Sequence, residues 1–126
     1  MHNFKKLNIW ILSMELATNV YEITKSFPKD ELYGLISQMR RCSVSIPSNI
    51  AEATSRNSNK EIVRFLDFSI GSIFELETQL LISKQLNYIK EFESNIIESK
   101  ITELQKMIFG FRKNIINQSI SNNLDS

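Results

Sequence analysis

An all-α, antiparallel up-down-up-down four-helix bundle is the fold this sequence predicts, and three observations predict it. Four stretches carry apolar residues at the period of an α-helix. Three Gly and two Pro leave few places to turn, which disfavours an all-β fold that turns about every ten residues. The links between the four stretches are short, as antiparallel neighbours require. Eighteen Ile favour strands by propensity, and the periodicity overrides them. At 126 residues the chain suits one domain, residues 1–126, around a single core.

The first helix runs from about Leu7 to Ser26 and stops before Phe27-Pro28, because a residue preceding proline is pushed out of the α region. It carries two apolar faces: Leu7, Ile11, Met14 and Tyr21 form one, and Ile9, Leu12, Leu16 and Ile23 form the other, with Trp10, Ala17 and Val20 bridging them. One face suffices to close a bundle core. The excess points to a subunit interface built on Ile9, Leu12, Leu16 and Ile23, or to a core that wraps the helix more fully.

The second helix begins after Pro28, with Asp30 and Glu31 in its first turn. Leu32, Met39, Ile46 and Ala53 recur at seven-residue intervals, as do Ile36, Ser43 and Ile50. Pro47 interrupts this run. It has no N–H for the Ser43 carbonyl and crowds that group, a defect of about 3 kcal/mol if nothing compensates. A kink near Pro47 is the expected result, with the neighbouring Ser and Thr side chains available to satisfy loosened carbonyls or to permit close packing.

Ser58 followed by Glu61 forms a capping-box pattern, and Ile62, Leu66, Ser69, Ile73, Leu76 and Leu80 trace the third helix to about Leu86. Ser69, Gly71, Ser72 and Ser83 allow a neighbour to approach closely, or are simple surface residues. Asn87 to Phe92 is the next link. In the fourth helix Ile97, Ile101, Leu104, Ile108, Phe111 and Ile115 step alternately by four and three, and Arg112 and Lys113 suit the negative end of the dipole. Residues 117–126, nearly devoid of apolar side chains, read as a flexible tail.

The composition excludes several functions. Fifteen basic and fourteen acidic residues leave a net charge of +1, so no global basic coat is present and any charge-driven function rests on local clustering. A lone cysteine, Cys42, rules out an internal disulfide. The apolar run after Lys5 and Lys6 is cut short by Glu15, and FSIGSIF is too short to span a bilayer. A soluble, cytoplasmic protein without membrane contact is expected.

Chemistry is equally sparse. The only histidine is His2, so neither a di-iron site with Glu-x-x-His pairs nor a histidine-based triad can be built. Gly34, Gly71 and Gly110 stand alone, without a phosphate loop. Cys42 beside Arg40 and Arg41 invites comparison with a reactive thiol, but its place on the apolar stripe favours a buried structural role. Glu75 and Glu77 lie on different helix faces. No enzyme, metal or cofactor is expected.

Two polar features remain. Arg41, Ser45, Ser48 and Glu52 lie along one side of the second helix with Asn49 near its seam, where a polar residue more often fixes pairing than binds a ligand. Between Ile36 and Arg64 the basic residues Arg40, Arg41, Arg56, Lys60 and Arg64 outnumber Glu52 and Glu61. They are the candidates for a basic rim at one end that attracts nucleic acid; the alternative is an ordinary solvated end.

With these residues in view, the chain from Phe4 to about Phe111 resembles the bacterial four-helix-bundle family of 23S ribosomal RNA intervening-sequence proteins, which includes the accessory variability determinant of diversity-generating retroelements. The likeness rests on Leu7, Trp10, Tyr21, Phe27-Pro28, Glu31, Leu35 and Gln38, and above all on RRCSVSIPSNIAEATSR, which carries the family's signature at Ser45, Ile46, Asn49, Ile50, Ala51 and Glu52. Phe65-Leu66, Ser72 and Glu75-Leu76 continue it. The sequence departs at Ala53, where the family has Gly, a residue that would end the second helix in a left-handed turn. The resemblance implies a homopentameric ring, and for the retroelement member binding to nucleic acid and a reverse transcriptase. The function expected is therefore a non-enzymatic homo-oligomer, most simply a pentamer, that binds RNA, DNA or a nucleoprotein partner such as a reverse-transcriptase-like protein. The alternative is an adaptor or scaffold ring without nucleic-acid contact.

Overall fold

The computed structural model describes residues 3–125, with side chains through Ser121. His2 lies outside the described residues. Four α-helices form: α1 (Asn8–Thr24), α2 (Ser37–Thr54), α3 (Asn59–Gln85) and α4 (Glu91–Asp125). A 3₁₀ turn, Phe4–Lys6, precedes α1.

Cross-helix bonds fix the order. Arg40, early in α2, bonds Thr24 at the end of α1. Ser69 and Ser83 of α3 bond Ile46 and Met39 of α2 in reverse sequence order. Arg112 of α4 reaches Asp67 of α3, and Lys100 of α4 reaches Glu15 and Asn19 of α1. Each neighbour therefore runs antiparallel to the last and α4 closes against α1, the up-down-up-down arrangement. The core is a ladder of fully buried Leu16, Met39, Ile46, Leu66, Leu76 and Leu104, with equivalents in each layer.

The helix ends have identifiable causes. Ser58 caps α3 by accepting the Glu61 N–H at 3.2 Å, as the capping pattern predicts. At the other end of α3, Asn87 adopts φ 61, Asn87 N–H donates to the Lys84 carbonyl and Tyr88 N–H to the Ser83 carbonyl. This is a Schellman turn with Asn in the left-handed position that Gly more often fills. The α2–α3 link uses no such turn. Ala53 is buried inside α2 and the Ser55 cap stays right-handed at φ −89, so Ala serves where the family pattern has Gly.

Two element boundaries differ from the sequence reading. After Pro28 the chain makes a 3₁₀ turn (Lys29–Glu31) and a π-helical turn (Leu32–Ile36) before α2 begins, with non-helical backbone at Gly34. A Cβ at Gly34 would meet only the carboxylate end of the flexible Glu31 side chain, which can swing away. At the C-terminus, helical backbone continues through Asp125, whereas sequence alone predicts a tail from residue 117. No Gly or Pro follows Gly110, so nothing in the chain stops the helix once it has formed.

Side-chain donors surround Pro47 within α2. Ser43, Ser45 and Ser48 donate to the carbonyls of Arg40, Cys42 and Val44, and Asn49 donates to that of Ser45. Ser69 of α3 donates to the Ile46 carbonyl at 2.9 Å, beside the proline. Ser69 and Ser83 are fully buried and allow α3 to lie close against α2, while Gly71 is exposed.

Candidate nucleic-acid interface

The five basic candidates do not form one rim. Arg40 and Arg41 lie in the first turns of α2 and Arg56 lies two residues beyond its end, so roughly 24 Å, at 1.5 Å per residue, separates the two groups. Arg40 is occupied at the first end: its Nε donates to Thr24 Oγ1 at 2.9 Å, Nη2 to the Tyr21 carbonyl at 3.4 Å, and Cζ lies 4.8 Å from the Tyr21 ring centre. It caps the C-terminus of α1, where a cation suits the dipole. Arg41 is exposed beside Gln38, Ser45, Glu75 and Gln79 in a polar cleft between α2 and α3.

At the second end the cations gather. Arg56 pairs with Glu52 and its Cζ lies 4.4 Å from the centre of Phe65. Arg64 pairs with Glu61 at 3.5 Å and lies 5.9 Å from Phe65 and 5.4 Å from Phe68. Lys60 is exposed one turn before Arg64. Leu7 and Phe111 help line a cavity of about 290 Å³ with Arg56, Ile50, Ile62 and Leu66, so the starts of α1 and α3 and the C-terminal part of α4 share this end. Lys5, Lys6 and Lys113, all exposed, extend the basic character there, whereas Arg112 is held by Asp67 at 2.7 Å.

The interface candidates separate differently. Ile9 (4 % exposed) and Leu16 (0 %) are buried within the subunit's own core, and Leu12 and Ile23 pack against that core. Ile9 and Leu16 therefore cannot serve as an exposed contact face, because the bundle wraps them, while Leu12 and Ile23 are half-buried. The open apolar surface is the other face of α1. Met14 (42 % exposed), Tyr21 and Trp10 line a groove of about 480 Å³ with Val44, Pro47 and Ala51 of α2. On the opposite side, Phe74 and Leu81 of α3 recur at seven-residue spacing from Asp67, the α4-facing position, and both are exposed, as is Phe109 of α4.

The lone thiol is also accounted for. Cys42 is buried, donates to the Ser72 carbonyl at 2.9 Å and lies 3.7 Å from Glu75 Oε2. Burial, and then the Glu75 charge, push it up to about 12. Neither Arg40 nor Arg41 activates it. Among the described residues, no group of three or more His, Cys, Asp or Glu side chains comes together as a metal site, and no helix is long and apolar enough to cross a membrane.

A family model described as 23S rRNA-intervening sequence protein matches residues 5–110. The chain belongs to that family. A crystal structure of a protein of unknown function from the S23 ribosomal protein family of Bacteroides thetaiotaomicron has the same fold, with a TM-score of 0.77 at 23 % identity, covering 83 % of this chain and 95 % of that one. No curated protein matches. The family signature in this member does mostly internal work. Ile46 and Ile50 are fully buried, and Ser45 bonds the Cys42 carbonyl and the Ser72 hydroxyl. Asn49 bonds the Ser45 carbonyl of its own helix rather than a residue across the seam. Ala51 lines the α1–α2 groove, and Glu52 holds Arg56.

The aromatic partners of Arg56 and Arg64 were missing from the sequence reading of the basic residues. A signal was present: Phe65 and Phe68 fall one and four positions after Arg64, so an i,i+4 reading of α3 places a ring beside the guanidinium.

Proposed function

We propose that this family member is a non-enzymatic, cytoplasmic homo-oligomer that binds RNA or DNA, alone or with a reverse-transcriptase-like partner, through the end carrying Arg56, Lys60 and Arg64. The observation that carries the reading is the gathering of Lys5, Lys6, Lys60 and Lys113 with these arginines at one end, against Glu52, Glu61 and Asp67, each already paired with an arginine. Phosphates are the partners such an end attracts. The protonated thiol leaves no activated cysteine nucleophile, which supports a binding role.

Oligomerisation rests on two unlike apolar surfaces on opposite sides of the bundle: the α1–α2 groove and the Phe74, Leu81 and Phe109 surface of α3 and α4. Unlike faces that meet head to tail close into rings when the rotation permits, and the family resemblance favours five subunits. A ring repeats the basic end, so weak attraction per subunit adds by multivalency. The same groove favours the second reading, an adaptor ring that binds protein alone.

Anisotropy titrations of RNA and DNA oligonucleotides over a salt series test the proposal. Affinity should be largely independent of sequence and fall steeply with salt, each neutralised phosphate adding about 0.7–0.9 to the logarithmic slope. Replacing Arg56, Lys60 and Arg64 by Ala should flatten that slope while helicity and assembly persist. No retention of either polymer at low salt would leave the adaptor reading, to be pursued by pull-down from the host.

A further inference from the structure

We infer that the surface built by Arg56, Phe65, Arg64 and Phe68 stacks on unpaired bases, so that this end prefers single strands to duplexes; the inference rests on the nucleic-acid reading above. Phe65 packs partly against the core and is fixed in place. Two guanidiniums approach its ring, with Arg56 Cζ at 4.4 Å and Arg64 Cζ at 5.9 Å from the centroid. Phe68 meets Phe65 edge-on, with centroids 5.4 Å apart and planes at 89°, and Arg64 lies 5.4 Å from it. Phe68 is 46 % exposed. The cluster is therefore anchored on one side and open on the other.

Charge selects the occupant. Glu52, Glu61 and Asp67 are each engaged by an arginine, while Lys60, one turn before Arg64, has no side-chain partner among the described residues. An open aromatic face about 12 Å along α3 from an uncommitted ammonium, at 1.5 Å per residue, suits a ligand that carries flat apolar rings and phosphates in succession. A duplex offers the phosphates but hides its base faces in the stack, whereas an unpaired strand offers both. Phenyl rings present neither donor nor acceptor to a sugar hydroxyl, so RNA and DNA strands of one sequence bind alike.

The test compares a short unstructured RNA strand, the DNA strand of the same sequence and the duplex of each, by anisotropy at fixed low salt. Either single strand should bind about ten-fold more tightly than its duplex, the effect of stacking one base on an aromatic ring. Phe68→Ala should remove that advantage and Phe68→Trp should keep it, whereas Lys60→Ala should weaken every probe in parallel. Equal binding of strands and duplexes, or an unchanged ratio in Phe68→Ala, would overturn stacking and leave the electrostatic reading standing. A ten-fold preference for RNA over DNA would overturn the assignment to ring stacking alone. Absence of binding by all probes would overturn both readings together.

Discussion

At one end of the bundle Arg40 reaches across to α1 and donates to Thr24 and Tyr21, while at the other Arg56 and Arg64 fold onto carboxylates and rings of the α2–α3 hairpin. The residues are of one type and lie in one stretch of sequence. What separates them is which neighbours their helix end meets. Beside Arg40 lie the Tyr21 carbonyl, which also accepts from the Thr24 hydroxyl, and the Thr24 hydroxyl oxygen itself, so the guanidinium joins the bonds that end α1 and becomes part of the fold. Beside Arg56 and Arg64 the carboxylates come from the same turn or the next, and such exposed pairs contribute little to stability. The difference teaches that a basic residue is available for a partner only where the fold has no use for it.

The same division between inward and outward commitment runs along α1, and its disruption carries the largest expected effect. Leu16 has no exposure and Met14 has 42 %. Leu16→Asp should cost about 4 kcal/mol or more, because it both opens a cavity and buries a carboxylate without a partner. Denaturant titration should show a chain barely folded. Met14→Asp should shift stability by less than about 1 kcal/mol, while light scattering records a smaller particle than the several-fold multiple of 14.6 kDa expected of the proposed ring. A folded, dissociated Leu16→Asp variant would contradict the assignment of faces.

A smaller effect distinguishes the arginines. Arg40→Ala should lower unfolding stability by about 1 kcal/mol, as it removes a charged donor from the α1 terminus. Arg56→Ala should stay within about 0.5 kcal/mol, since its partner Glu52 is exposed and remains solvated. Equal losses in the two variants would erase the contrast between the ends.

Much of the fold was legible in sequence because helix periodicity is a local signal. The Ile97 to Ile115 stripe and the Ser58 cap need no knowledge of neighbours, and both appear where the residues place them. Periodicity does not say which of two apolar faces turns inward. On α1 that decision belongs to the other helices, and they cover Ile9 and Leu16 rather than Met14 and Tyr21. The basic rim failed for a related reason: proximity in sequence from Arg40 to Arg64 ignores the length of α2 between them. The Asn87 turn is set by how α4 must return along α3, and Asn permits a left-handed conformation without announcing it. The site was legible as charge and not as geometry, because an arginine's ring partners depend on the direction in which its helix presents it.

Cys42 supplies the finest test of whether sequence neighbours or spatial neighbours govern a side chain. It follows Arg40 and Arg41 directly, and a flanking cation would lower a thiol pKa. In space its neighbours are the Ser72 carbonyl and Glu75, and burial acts first, with the carboxylate adding to it, to push the thiol from 9.0 up to about 12. The raised value means that the folded state favours the protonated thiol. The stability this lends is complete below the unfolded value near 9.0 and is lost as pH rises from there toward 12. Iodoacetamide at about pH 8 should therefore leave native Cys42 unmodified while it labels a urea-unfolded control. Glu75→Gln should speed alkylation only modestly, because it removes the second cause and leaves burial in place. Native labelling as fast as the unfolded control would show that the arginines, and not the core and Glu75, set the chemistry of this thiol.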